Sequence, residues 1–131
     1  MNPRSTQPRE HAQGAQQNAA PADDLTEEQV NRIFRALADA TRRDIVRRTL
    51  TREATISQLA GDYDMSFAAV QKHVTALVAA ELIIKEARGR ERVIRGNPQR
   101  IARVRELLGE FEQIWRGRMD RMDALFAEER P

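Results

Sequence analysis

The stretch TISQLAGDYDMSFAAVQKHVTALVAA, residues 55–80, decides how this chain folds. Thr55 and Gln58 stand three apart, the spacing of a capping box, in which two side chains satisfy free backbone N–H groups at a helix start. Ile56, Leu59 and Ala60 then supply an inward face. Gly61, Asp62, Tyr63 and Asp64 interrupt it, as turn-forming residues do. Ser66 can cap a following helix through its hydroxyl. From Ser66 to Ala80, Val70, Val74, Leu77 and Val78 recur at helical spacing. A short helix, a turn and a second amphipathic helix make a helix-turn-helix.

Upstream, Thr26 and Gln29 repeat the capping-box spacing, and Leu25, Val30, Ile33, Phe34 and Leu37 form a helical stripe behind them. A second helix is expected from near Thr41, with Ile45, Val46 and Leu50 inward and Arg42, Arg43, Arg47, Arg48 and Arg52 outward. Downstream the period changes. Leu82 to Ala87 reads as a strand, Arg88-Gly89-Arg90 as a tight turn, and Arg92 to Arg95 as the return strand. Asn97-Pro98 opens a last helix, proline being tolerated in a first turn. The fold class is therefore mainly α with a small β-hairpin (α+β), a winged helix-turn-helix spanning residues 24–130.

The last helix carries Ile101, Val104, Leu108, Phe111, Trp115, Met122 and Leu125 at 3–4 spacing, interrupted once by Arg118. At 1.5 Å per residue, about 30 residues extend roughly 45 Å, more than so small a domain can cover. A homodimer follows as the expectation, formed through the first and last helices with Val30, Ile33, Phe34, Leu37, Val104, Leu108, Phe111, Trp115 and Met122 at the seam. Residues 1–23, rich in Gln, Ala, Pro and Asn, bury too little apolar surface to order and read as a disordered tail that includes His11.

Composition narrows the function. Charged residues make up 32% of the 131 and aromatics 5%, a balance suited to a small helical domain with a solvated surface rather than to a pocketed enzyme. With no cysteine, disulfides, thiolate metal sites and thiol nucleophiles are excluded. No apolar run approaches a membrane span and no secretory h-region is visible, so the expected location is cytoplasmic, with no membrane partner. A catalytic triad, a phosphate-binding Gly loop and an HExxH motif are all missing. A calcium loop starting at Asp62 would need glycine where Phe67 stands.

The charge is concentrated. Between Lys85 and Arg105 eight Lys or Arg face two Glu, on a chain whose total is +2. This basic wing directly follows a helix whose outer side presents Ala68, Gln71, Lys72 and Thr75, flanked by Phe67 and His73. A small alanine lets backbone approach a groove, glutamine can pair with adenine, and lysine with guanine or phosphate. Arg88, Arg90 and Arg92 at the hairpin would be drawn to phosphates or a narrow minor groove. The partner implied is double-stranded DNA, read by the helix from Ser66 to Ala80.

Phe34-Arg35-Ala36-Leu37-Ala38-Asp39-Ala40-Thr41-Arg42-Arg43-Asp44-Ile45 resembles the opening signature of the ArsR family of repressors. Met65-Ser66-Phe67-Ala68-Ala69-Val70-Gln71-Lys72-His73-Val74 resembles that family's recognition helix, and Ile94 to Pro98 continues the likeness, over about residues 27 to 126. The resemblance implies a homodimeric repressor, often autoregulatory, on an imperfect promoter palindrome. It implies DNA contacts from Ser66, Ala68, Gln71, Lys72 and His73, and from Arg88 and Arg90 in the wing. Metal-sensing members carry cysteines where this chain reads Thr55 to Leu59, or His and Asp pairs on a last helix that here holds no His. The chain thus resembles the metal-independent branch, with no metal and no cofactor; a small-molecule inducer has room at the dimer seam but no residue specifies one. The competing reading is a winged-helix scaffold for proteins without sequence-specific DNA binding. Steep salt dependence of binding would separate the two, since phosphate contacts release counterions.

Overall fold

The computed structural model describes residues 24–129. The disordered-tail expectation, with His11, and the limit at residue 130 lie outside the described residues. Helix α1 (Glu27–Leu37) starts at Thr26 with the capping box in place. The Gln29 amide donates to Thr26 Oγ1 at 3.1 Å, and the Thr26 amide donates to Gln29 Oε1 at 2.8 Å. Helix α2 (Ala40–Thr51) is capped by Asp39, whose carboxylate accepts from the Arg42 amide at 3.0 Å. Then come strand β1 (Ala54–Thr55), helix α3 (Ile56–Tyr63), helix α4 (Phe67–Ala79), strands β2 (Ile83–Arg88) and β3 (Glu91–Gly96), and helix α5 (Pro98–Glu129).

The hairpin is part of a three-stranded antiparallel sheet in the order β1-β3-β2. Sequence periodicity does not place β1, because two residues show no period. Thr55, expected as a helix cap, also ends that strand: it pairs with Val93 and still caps α3, its Oγ1 accepting from the Gln58 amide at 3.0 Å. Strand β2 runs one residue later than the apolar pattern suggests and β3 extends one residue further at each end, with Arg88 paired to Glu91 across a two-residue turn. Only Gly89 in that turn has a positive φ, 61°, which fits the turn type that puts glycine first.

The core lies where α1 to α4 meet the sheet. Ile33, Ile45, Leu59, Val70, Val74, Leu77, Leu82 and Ile94 have no exposed surface. Each such side chain stabilises the fold by roughly 1.5–3 kcal/mol relative to exposure. Helix α4 ends in paired carbonyl closures, the Leu82 amide donating to Leu77 O and the Glu81 amide to Val78 O. Glu81 occupies the left-handed position at φ 60°, where glycine is more usual. Asn97 Nδ2 donates to the Glu81 carbonyl at 2.9 Å, joining this corner to the start of α5.

Two expectations need correction. Leu50, assigned to the core, is 42% exposed. It lies near the end of α2 and crosses Gly96 of β3, so close that a Cβ there would sit 2.6 Å from Leu50 Cδ2 and 3.0 Å from its Cα. Ile33, assigned to a seam between copies, is wholly buried within the protomer, and Val104 nearly so. The first helix spends that face on its own core.

Gly96→Ala is expected to destabilise the fold by about 1–3 kcal/mol through overpacking against α2; urea melts check this, and Leu50→Ala in the same background should recover part of the loss. The Asp39 cap predicts a pH dependence. The Arg42 amide hydrogen bond chiefly holds the Asp39 carboxyl below the usual carboxylate range, against an opposing push from burial and with help from nearby His73 and Arg42. A depressed folded-state pKa means stability that is present above about 3.9 and lost as pH falls through the lower, folded value. Asp39→Ala should therefore cost about 0.5–2 kcal/mol at neutral pH, and melts repeated towards acid should show that difference shrinking.

Candidate nucleic-acid interface

Helix α4 is held on one side and free on the other. Ser66 Oγ accepts from the Ala69 amide at 3.1 Å, and Val70, Val74 and Leu77 are sealed into the core. The opposite side carries Ala68, Lys72 and Thr75, all exposed, with Gln71 half-buried beside them. Phe67, at the helix start, is 55% exposed, an uncommon position for a large aromatic. Sequence-selected Ser66, Phe67, Ala68, Gln71, Lys72 and Thr75 thus share the end and outer side of one helix.

His73 sits differently. Its side chain is only 18% exposed, and its Nδ1 accepts a hydrogen bond from Arg42 Nε at 3.1 Å, with Asp39 Oδ2 3.9 Å away. A neutral imidazole accepting at Nδ1 carries its proton on Nε2. His73 therefore braces α4 against the start of α2. Asp39 and Arg42, the two groups of that brace, are not among the residues the sequence singles out for the site. An Asp directly before a helix is a capping signal and suffices to find the first of them.

A second brace joins α2 to α3. The Tyr63 hydroxyl donates to Asp44, Arg48 lies over the Tyr63 ring at 5.3 Å, and Arg48 Nη2 donates to Asp62 Oδ2 at 2.7 Å. Burial, seconded by the Asp44 hydrogen bond, pushes the Tyr63 hydroxyl up from its ordinary pKa. These contacts fix the first helix of the helix-turn-helix, which in turn supports the second.

The wing's positive charge divides into two kinds. Arg88 Nη1 and Nη2 donate to the two carboxylate oxygens of Glu53 at 2.6 and 3.1 Å, and Nη2 also donates to Glu86 at 3.0 Å. Arg95 donates to Glu86, Arg100 pairs with Glu81, and Arg103 with Glu106. Lys85, Arg90, Arg92 and Arg105 form no ion pair among the described residues. Arg88 holds the Glu53 carboxyl below the usual carboxylate range, and Glu53 in return raises the Arg88 guanidinium. Arg90 and Arg92 remain exposed at and beside the hairpin tip.

Among the described residues no group of three or more His, Cys, Asp or Glu is arranged to hold a metal. No helix there is long and apolar enough to cross a membrane. On α5, beyond the nearly buried Val104, seven large apolar side chains from Leu108 to Phe126 are 38–69% exposed. They include Leu108, Phe111, Trp115 and Met122, and also Ile114 and Phe126, which the 3–4 spacing of the apolar stripe leaves out. From the first helix, Phe34 is exposed beside the half-buried Val30 and Leu37.

No protein-family model matches the chain. Individual relatives do. The HTH-type transcriptional regulator Rv2034 of Mycobacterium tuberculosis is 36% identical over 81 residues, 62% of this chain and 76% of that protein. The crystal structure of the ArsR family transcriptional regulator RHA00566 superimposes with a TM-score of 0.65 at 34% identity, over 70% of this chain and 95% of the other. The homodimeric winged helix-turn-helix DNA-binding domain Mb0332 from Mycobacterium bovis shares the fold at 20% identity and a TM-score of 0.54, over 69% of this chain and 89% of that one. With that likeness spanning nearly the whole of a 34% identical regulator, the protein belongs to the ArsR family of transcriptional regulators.

Proposed function

We propose that this regulator binds DNA sequence-specifically as a homodimer, represses transcription from a promoter palindrome that can include its own, and does not respond to metal. The observation that carries the reading is α4: sealed by Val70, Val74 and Leu77 on one side, it offers Ala68, Gln71, Lys72 and Thr75 on the other. Inserted in a major groove, such a helix places Gln71 for adenine and Lys72 for guanine or phosphate, with Ala68 and Phe67 for thymine methyl contact. Ser66 caps an N-terminus whose free N–H groups favour a phosphate. His73, with Nδ1 engaged, keeps an Nε2 donor for the backbone. In the wing, Arg90 and Arg92 supply unpaired charge and Arg88 stands next to them.

Two copies explain the apolar surface of α5. Leu108, Phe111, Trp115 and Met122, joined by Ile114, Leu125 and Phe126 and by Val30, Phe34 and Leu37 of α1, form the proposed seam, with Ile33 and Val104 backing it from within. The structural neighbour Mb0332, which shares the fold and is described as homodimeric, supports this assembly. Metal independence rests on the chain's lack of cysteine and on an α5 without His. An inducer, where one acts, is a small molecule at the seam.

Selection of bound DNA from a random pool tests the reading. Winners should carry two symmetric half-sites about 34 Å, one helical turn, apart; winners without symmetry count against a dimeric reader. Gln71→Ala with Lys72→Ala should erase preference for the selected sites while sedimentation still shows a dimer, and removing each specific pairing with a base should cost about 1–3 kcal/mol. Ending the chain before Phe111 should give monomers or aggregates; a well-behaved dimer from that truncation would exclude the α5 seam.

A further inference from the structure

The wing has little to hold it. Its inner half is paired to β1 through Val93 and Ile94 only, and β1 is two residues long. Beyond Val93, the strands from Arg92 to Arg88 pair only with each other, and a lone two-stranded hairpin is marginal in water. The angle at which the tip stands relative to α4 must therefore come from side chains.

Register shows which ones. Side chains alternate between the faces of a sheet, and directly paired residues share a face. Glu86 pairs with Val93, which pairs with Thr55 of β1; Arg88 and Arg95 lie two residues along from that row, and so does Glu53. All four charged residues thus share one face. They form a continuous chain from the end of α2 to the tip: Glu53 to Arg88 through a two-pronged fork at 2.6 and 3.1 Å, Arg88 to Glu86 at 3.0 Å, and Glu86 to Arg95 at 3.3 Å. A planar guanidinium gripping both oxygens of a carboxylate fixes orientation as well as distance. Arg92 pairs with Ala87 and points from the other face, unencumbered.

We propose that Glu53 and Arg88 are positioning residues for DNA recognition: their fork holds the wing at the angle where Arg90 and Arg92 meet the DNA backbone while α4 occupies the major groove. This rests on the DNA-binding reading above. Arg88 is then a strut, and Glu53 is a carboxylate that favours binding to a polyanion. Plain electrostatics gives the opposite sign, because an exposed acid near phosphates repels them, and exposed ion pairs add little to folding stability.

That difference in sign is the test. Affinity of the full chain for its selected site is measured by fluorescence anisotropy over a range of salt, for the unmodified protein, Glu53→Gln, Arg88→Ala, Arg92→Ala and the double variant Glu53→Gln with Arg88→Ala. Glu53→Gln should weaken binding about tenfold, the scale of a single DNA contact, although it removes a negative charge. Arg88→Ala should weaken it similarly without changing the salt slope, whereas Arg92→Ala should lower the slope by about one. If the two act as one fork, the double variant should lose no more than either single variant, and melting midpoints should move by less than about 4 °C. Equal or tighter binding by Glu53→Gln, a slope lowered by Arg88→Ala, or losses that simply add in the double variant would each overturn the strut. Failure of the unmodified chain to select any DNA would instead overturn the DNA-binding reading itself.

Discussion

Val70, Val74 and Leu77 bind one side of α4 into the same apolar core that α1, α2, α3 and the sheet share. Because interiors are close-packed, those three side chains leave the helix neither roll nor slide without opening a void. Everything displayed on its outer side therefore has a fixed phase. The His73 brace to Arg42 and Asp39 adds a polar reference point at the start of α2. Helix α4 is at once a core element on one side and an exposed surface on the other, and the first fixes the second.

Charge is arranged with the same economy. The basic run that stands out in the sequence is, in three dimensions, two populations. Arg88, Arg95, Arg100 and Arg103 are engaged by acids close at hand, some of them distant in sequence, such as Glu53. Lys85, Arg90, Arg92 and Arg105 carry the net field that a phosphate backbone would meet. Counting charge along a segment measures their sum; only the fold separates paired charge from unpaired.

Much of this is legible in the sequence where one residue reports on its own neighbours. The two capping boxes, the Ser66 cap and the glycine of the hairpin turn are local chemistry, and all four stand where spacing places them. The periodicity of α4 likewise reveals its inner face. What fails to show is non-local. Strand β1 is too short to have a period and exists because β3 pairs with it. Leu50 follows the apolar pattern of α2, yet it covers a glycine from another element instead of entering the core. Ile33 and Phe34 are adjacent and equally apolar, and only packing decides that the first is interior and the second surface. The Glu53 fork to Arg88 joins residues 35 apart and has no spacing to read.

Thr55 belongs to two elements at once, closing β1 by pairing with Val93 and opening α3 by capping it. No spacer residue lies between sheet and helix, so the backbone of one residue sets the angle between β1 and α3. A tilt of the inner sheet is passed through that residue to the first helix of the helix-turn-helix, and from there to α4 packed against it. Beyond Val93 the hairpin pairs only with itself, so it is the inner part of the sheet, not the tip, that Thr55 ties to the helix-turn-helix.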